Sequence, residues 1–110
     1  MPIEEVPMQL EKYGLTPFLL TTRADGRPHP SSVSISWREG EATVAAGRGA
    51  IANISTHDNV VLLFAPLDGV GHSMLIDGHA RTHEANGETV MLVRAISAVL
   101  HRQAGLTAAE

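Results

Sequence analysis

The residue types best suited to chemistry in this chain lie between positions 29 and 53. The first group is a set of closely spaced hydroxyls in a strand-like run: Ser31, Ser32, Ser34 and Ser36. Alternate residues of a strand share a face, so this run predicts a row of hydroxyls able to line a pocket for a polar, phosphate-bearing ligand. Downstream, Arg48 stands between Gly47 and Gly49; a guanidinium forks onto phosphate, and glycine lets the backbone approach it. The same residues would also suit a solvent-facing strand and a solvated loop, so both interpretations stay open from the residues alone.

Six histidines raise the question of a metal site. On a strand, His79 and His83 would share a face with Asp77 and Arg81, where neighbouring positions are about 7 Å apart. The chain has no cysteine, and no further cluster of carboxylates and histidines adds ligands to this face. We therefore expect no metal site and interpret these residues as solvent-facing. His29 is the better functional candidate because it opens the serine-bearing strand. A G-x-S-x-G motif is absent, so hydrolase chemistry is not predicted, and no catalytic residue is assigned.

Composition narrows the class of protein. The 110 residues, of which 44% are hydrophobic and 18% charged, predict a single globular domain over 1–110. A net charge of -4 argues against nucleic acid as a partner. The sequence lacks an apolar run of about 20 residues, which argues against a membrane partner, and its N-terminus does not resemble a signal peptide; we expect a cytoplasmic protein. Because aromatic residues are few, the core must be small, and burial against a second copy in a homodimer would stabilise it.

Periodicity and turn residues predict the elements that position these side chains. A helix is expected over 4–13, ending at Gly14, and one or two helical turns over 50–56. Turns are expected at Asp25-Gly26, Glu39-Gly40, Pro66–Gly69 and Asn86-Gly87. Strands are expected over 18–23, 30–37, 42–46, 60–65 (buried on both faces) and 73–84. Residues 88–96 are predicted as helix, and 97–103 stay undecided between its continuation and a last strand. The sum is a small, mostly antiparallel barrel.

With these elements placed, the chain resembles the FMN-binding split-barrel superfamily, the pyridoxamine 5'-phosphate oxidase-like proteins. Four segments in order carry the resemblance: TTRADGRPHPSSVSISW, VAAGRGAIANI, STHDNVVLLF and IDGHARTHE. The resemblance implies a mostly β protein with short helices, a split β-barrel of about six antiparallel strands. It further implies a homodimer with two flavin sites at the subunit interface.

The resemblance also implies which residues hold FMN. The second strand and the Gly-Arg-Gly loop would form one wall of each site. Opening that strand are His29 and Pro30. Facing the ring system and the ribityl chain would be Ser31, Ser32, Val33 and Ser34. Approaching the phosphate would be Ala46, Gly47, Arg48 and Gly49, with Asn53 fixing the loop.

The implied activity is FMN-dependent oxidoreduction or electron transfer, with a small substrate or redox partner that the sequence does not identify. Family members that hold FMN usually place a Lys or Arg shortly before the Asn. Here Arg48 is the nearest cation, and the intervening residues include Ala50, Ile51 and Ala52. Two alternatives therefore stay open: a deazaflavin-dependent reductase, and a non-enzymatic barrel that has lost flavin and serves as a binding or assembly module.

Overall fold

The computed structural model describes residues 1–102 and 104–105. A 3-10 turn, Ile3–Glu5, leads into helix α1 (Val6–Tyr13), and a second helix, α2, spans Arg48–Ile54. The strands are β1 (Phe18–Thr22), β2 (Pro28–Ser32), β3 (Ile35–Arg38), β4 (Glu41–Val44), β5 (Asn59–Phe64), β6 (His72–Ala85) and β7 (Glu88–Arg102). Within the described residues the strands form one antiparallel sheet in the order β2-β1-β5-β6-β7-β4-β3. The mostly β class with short helices is confirmed, with seven strands in place of about six.

A two-residue corner closes the sheet. Strands β2 and β3 lie at opposite ends of the strand order, yet only Val33 and Ser34 separate them in sequence. The sheet therefore curls until its edges meet, as in a barrel. Across the corner, the Val33 N–H donates to the carbonyl of Pro17 (3.1 Å), and the Ile35 N–H donates to that of Leu15 (2.9 Å). The strand predicted over 30–37 is thus two strands joined by a bend.

The barrel interior is filled by aliphatic side chains and capped by the two helices. Helix α1 buries Val6 and Leu10, whereas α2 buries Ala50 and Ile54. Helix α1 carries a proline in its first turn and, as predicted, ends at Gly14, which has φ of +81°. Helix α2 packs next to β1, so its polar side lies beside the β1–β2 hairpin.

The helix predicted over 88–96 is wrong, because these residues belong to β7. Asn86 and Gly87, with φ of +55° and +81°, form a two-residue turn that pairs Ala85 with Glu88. This turn sends the chain back alongside β6. Strand β7 then pairs with β6 on one side and β4 on the other, so the two neighbouring strands supply hydrogen-bond partners for its backbone N–H and C=O groups. The undecided stretch 97–103 continues as strand through Arg102, and residue 103 lies outside the described residues.

A β-bulge in β7 explains why its sequence mixes two periods. Gly78 pairs with Ala95 and Asp77 with Ser97, which leaves Ile96 as the additional residue. A bulge of this kind shifts the side chains that follow it to the other parity. The fully buried side chains of β7 accordingly change from odd to even positions, in the order Met91, Val93 and Ala98.

The sheet also has an outer apolar face. Strand β5, predicted as buried on both faces, alternates instead: Val60, Leu62 and Phe64 are buried, whereas Val61 and Leu63 are half-buried. Pairing places one row of side chains across four strands, Phe18, Leu63, Leu75 and Val99. We define the outer apolar face as this row together with Leu20, Val61 and Ile96. Phe18, Ile96 and Val99 remain 49%, 55% and 45% exposed.

Candidate functional site

A cleft of about 470 Å³ lies between the β1–β2 hairpin and helix α2. Its lining residues are Arg23, Ala24, Asp25, His29, Gly49 and Asn53. We call it the hairpin–helix cleft. Its volume falls in the range of small-molecule sites, and four of its six lining residues carry polar side chains.

The hairpin turn fixes one rim of the cleft. The Arg23 N–H donates to the carbonyl of Arg27, and the Gly26 N–H donates to that of Arg23, both at 2.8 Å. Gly26 has φ of +89°, which glycine adopts without strain, so the predicted Asp25-Gly26 turn is confirmed. Asp25 Oδ1 accepts from the Arg27 N–H at 3.1 Å. The short turn therefore holds Arg23 and Asp25 at the edge of the cleft.

A polar cluster of three residues lies at the base of the cleft. Thr21 on β1, only 2% exposed, pairs across the hairpin with His29 on β2. Asn53 on α2 donates from Nδ2 to Thr21 Oγ1 at 3.0 Å, and the same Nδ2 lies 3.3 Å from His29 Nδ1. The hydroxyl of Thr21 lies 3.4 Å from the carbonyl of His29. The cluster thus ties the helix to both strands of the hairpin.

Gly49 allows the His29 ring to pack against α2. A Cβ built on Gly49 would lie 3.3 Å from Cε1 of His29 and 3.8 Å from its Nε2. The first of these distances is tighter than most real contacts. The absence of a side chain at this position leaves room for the ring, whose Cε1–Nε2 edge faces the helix.

The structure brings together some of the residues predicted for the cofactor site and separates others. His29, Gly49 and Asn53 line one cleft. Exposed, but outside the lining of the cleft, are Pro30, Ser32, Ser34, Gly47 and Arg48, and Ala46 is half-buried. Val33 is 6% exposed and belongs to the core. Arg48 lies next to Gly49 in the first turn of α2, at the rim rather than inside.

Ser31 differs from the other serines of this segment. It pairs with Leu19 of β1, and its Oγ is buried with no hydrogen-bond partner. An unsatisfied buried hydroxyl costs about 1–3 kcal/mol. This unpartnered hydroxyl favours a ligand with a polar atom that hydrogen-bonds to it.

Arginines are concentrated around the cleft of an otherwise acidic chain, which carries -4. Arg23 and Asp25 line the cleft, and Arg27 and Arg48 flank lining residues in sequence. Arg27 lies 3.8 Å from Asp25 and offsets its charge. Within the described residues, Arg23 has no carboxylate within 4.0 Å. The guanidinium of Arg23 fits the phosphate of a flavin nucleotide.

Two residues of this site escaped sequence analysis. Thr21 is a polar residue inside an apolar strand, and alternation after Leu19 was the signal that its side chain points inward. Arg23 follows β1 directly and precedes the turn, so its position at a hairpin end was the signal. Neither signal separates a site residue from an ordinary strand or turn residue.

The second charged cluster of the molecule lies on the outer surface of the sheet. Glu41 Oε2 accepts from Arg81 Nη1 at 2.8 Å and lies 3.5 Å from Arg94 Nη2. The hydrogen bond from Arg81, with the charges of Arg81 and Arg94, holds the pKa of Glu41 below its ordinary value despite partial burial. His79 lies 3.7 Å from Asp58. Across residues 1–102 and 104–105, no three His, Asp or Glu side chains come close enough to hold a metal ion. Nor is any helix in that part of the chain long and apolar enough to cross a bilayer.

Comparison with solved structures identifies the fold. A Clostridium acetobutylicum protein of the pyridoxinephosphate oxidase family, related to general stress protein 26 of B. subtilis, superposes with a TM-score of 0.71 at 9% identity, covering 93% of this chain and 91% of that one. An F420 reductase gives 0.68 at 14% identity, covering 83% and 94%. The heme storage protein HutZ of Vibrio cholerae gives 0.60 at 17% identity, covering 96% and 93%.

The chain therefore has the split β-barrel fold of these structures, as its sequence predicted. No family model matches the sequence, and no curated protein does. The structures with this fold bear names that point to different ligands. Because one fold hosts several chemistries, the ligand of this chain has to be argued from its own cleft.

Proposed function

We propose that this protein binds FMN at the hairpin–helix cleft and acts as a flavin-dependent oxidoreductase or electron-transfer protein. The observation that carries the proposal is the cleft in which His29, Gly49 and Asn53 meet, lined by Arg23 and flanked by Arg48. The protein's part is to bind and orient the cofactor; FMN, when bound, supplies the hydride or electron-transfer chemistry.

The residues divide between the two ends of the cofactor. The turn from Ala46 to Gly49 approaches the phosphate, with Arg48 adding charge at the rim. The ring system and the ribityl chain run along the segment from Pro30 to Ser34, where exposed Ser32 and Ser34 offer hydroxyls. Val33 offers only backbone groups, because its side chain is in the core. The spare hydroxyl of Ser31 gains a partner if the ligand reaches it.

A second copy of this chain is the partner we propose for the outer apolar face. The central row, from Phe18 to Val99, carries no charged side chain. In the adjacent row, Asp77 accepts from Ser97 at 3.2 Å, so its carboxylate is partly satisfied on its own chain. A face of this kind is self-complementary and suits a two-fold homodimer. A cytoplasmic location and a single domain over 1–110 stay predictions from the sequence.

The dimer is tested by sedimentation velocity. We expect wild type to sediment as a dimer and Val99→Asp to shift it toward monomer, because the variant places a charge in the central row. Leu67→Asp is the matched control, since Leu67 is 77% exposed on the loop before β6. A monomeric wild type, or a dimer indifferent to Val99→Asp, contradicts this part of the proposal.

Cofactor binding is tested by titrating the apo-protein with FMN and following flavin fluorescence, with riboflavin as the control that lacks a phosphate. We expect saturable binding near one FMN per chain and much weaker riboflavin binding. Arg48→Ala should weaken FMN about ten-fold, whereas Arg38→Ala, on exposed β3, should not. Absence of FMN binding contradicts the proposal and favours a barrel without flavin.

A deazaflavin is the second candidate cofactor, favoured by the likeness to an F420 reductase. Titration with F420 in the same assay separates the two. Saturation by F420 without saturation by FMN would assign the cleft to the deazaflavin.

A further inference from the structure

The polar cluster at the base of the cleft surrounds Nδ1 of His29, with Thr21 Oγ1 and Asn53 Nδ2 both within 3.5 Å of it. A carbonyl oxygen only accepts hydrogen bonds, so the hydroxyl of Thr21, 3.4 Å from the carbonyl of His29, directs its hydrogen there. Thr21 Oγ1 has two further polar neighbours, His29 Nδ1 at 3.5 Å and Asn53 Nδ2 at 3.0 Å. The shorter of these contacts is the hydrogen bond that Asn53 Nδ2 donates to Thr21 Oγ1.

The same amide group then faces the ring. Asn53 Nδ2 carries two hydrogens, and after one is given to Thr21 the other points to His29 Nδ1, 3.3 Å away. Nδ1 must accept this bond, so it carries a lone pair. In a neutral imidazole the single hydrogen is therefore on Nε2. The cluster makes His29 a hydrogen-bond donor on the side of its ring that faces away from Asn53.

The Cε1–Nε2 edge lies against Gly49, and His29, Gly49 and Arg23 all line the cleft. The lining residues therefore include an imidazole whose Nε2 can donate and a guanidinium without a carboxylate partner within the described residues. Donors of both kinds bind phosphate oxygens.

We propose that the hairpin–helix cleft binds a phosphate group through His29 Nε2–H and the guanidinium of Arg23, with Asn53 and Thr21 as positioning residues that hold His29 in the donor tautomer. The inference rests on the proposed function, because it names where the cofactor's phosphate is received. It adds Arg23, which lines the cleft, to Arg48, which lies at its rim.

The tautomer is tested by long-range ¹H–¹⁵N correlation spectra of the histidine side chains in the apo-protein, at about pH 8, where an ordinary imidazole is neutral. The His29 signal is assigned by its absence in His29→Gln. We expect the Nε2–H form alone in wild type. Asn53→Asp should switch it to the Nδ1–H form, because a carboxylate only accepts. Asn86→Asp, at the tip of the β6–β7 turn, is the matched control and should leave the signal unchanged.

An Nδ1–H form in wild type overturns the inference, whether or not the Asn53 variant folds. A folded Asn53→Asp that keeps the Nε2–H form overturns the positioning role of Asn53. A mixture of both tautomers in wild type also overturns the positioning role of Asn53, because the cluster then selects neither tautomer.

The anion site is tested by titrating inorganic phosphate at constant ionic strength and following the same His29 signal. We expect a saturable change in the chemical shift. The affinity for phosphate should fall about ten-fold in Arg23→Gln and stay unchanged in Arg38→Gln. An unsaturable shift, or equal affinity in the two variants, overturns the site.

The two proposals fail in different ways. Phosphate binding that depends on Arg23, without FMN or F420 binding, keeps the anion site and removes the proposed cofactors. FMN binding that is indifferent to Arg23→Gln keeps the proposed function and removes this anion site.

Discussion

Replacing Gly78 by alanine tests the bulge that sets the parity of β7. A Cβ at this position would lie 2.6 Å from the backbone carbonyl oxygen of Arg94 and 2.6 Å from Cγ1 of Val93. Ordinary contact begins at 3.4 Å, so the methyl group is about 0.8 Å too close to each. The Val93 side chain is only 1% exposed and packs in the core, and the carbonyl belongs to a strand paired on both sides. The sheet must therefore widen locally.

Overpacking of this kind costs about 1–3 kcal/mol of unfolding free energy. For a domain of this size that lowers the melting temperature by about 4–20 °C. Urea and thermal unfolding are followed by the fluorescence of Trp37, the one tryptophan. Gly105→Ala is the matched control, because nothing lies within 4 Å of a Cβ there. A Gly78→Ala protein within about 0.5 kcal/mol of wild type would refute the reasoning, since the bulge would then accommodate a side chain freely.

Two further predictions concern single polar groups. Folding lowers the pKa of Glu41, chiefly through the hydrogen bond from Arg81, so its carboxylate stabilises the fold above the ordinary pKa and ceases to do so as pH falls through the lowered value. The difference in unfolding free energy between wild type and Glu41→Gln should therefore be largest at neutral pH and vanish on acidification; a constant difference in urea titrations contradicts this. Ser31→Ala should leave the apo-protein as stable as wild type or more stable, because it removes a buried hydroxyl without a partner; a loss of more than about 1 kcal/mol, with exposed Ser32→Ala unchanged, would show that the hydroxyl is bonded.

Local signals in the sequence predicted much of the fold. The turns at Asp25-Gly26 and Asn86-Gly87 were found because positive φ at glycine leaves a readable signature. The strand predicted over 73–84 was found because its apolar residues alternate regularly, and the structure buries Met74, Ile76 and Ala80. These features depend on neighbouring residues, which the sequence displays directly.

The two errors, the helix predicted over 88–96 and the unbroken strand predicted over 30–37, arise from contacts between residues far apart in sequence. Residues 90, 92, 93 and 96 are spaced as on a helix because both faces of β7 carry apolar side chains: Val93 is buried in the core, whereas Ile96 is exposed on the other face. The continuous run 30–37 gave no sign of a bend, because the bend at Val33 results from joining two distant sheet edges. Both features are set by pairing partners rather than by local preference.

The candidate site was predicted in part for the same reason. His29, Gly49 and Asn53 were named from a family pattern, and the structure places them in one cleft. Thr21 was missed because its contacts are with His29 across the hairpin and with Asn53, 32 residues away in sequence.

The hydrogen bonds of Asn53 also close a loop of covalent chain. From His29 the backbone runs through the corner, β3, β4 and α2 to Asn53, 24 residues later, where the side chains meet again. The cluster thus closes this loop through side chains, in addition to the strand pairing that holds β3 and β4 in the sheet. Amide hydrogen exchange over this loop should accelerate together in Asn53→Ala, as one cooperative unit. A ligand that binds His29 would then stabilise the cluster and slow amide exchange as far away as the β3–β4 turn.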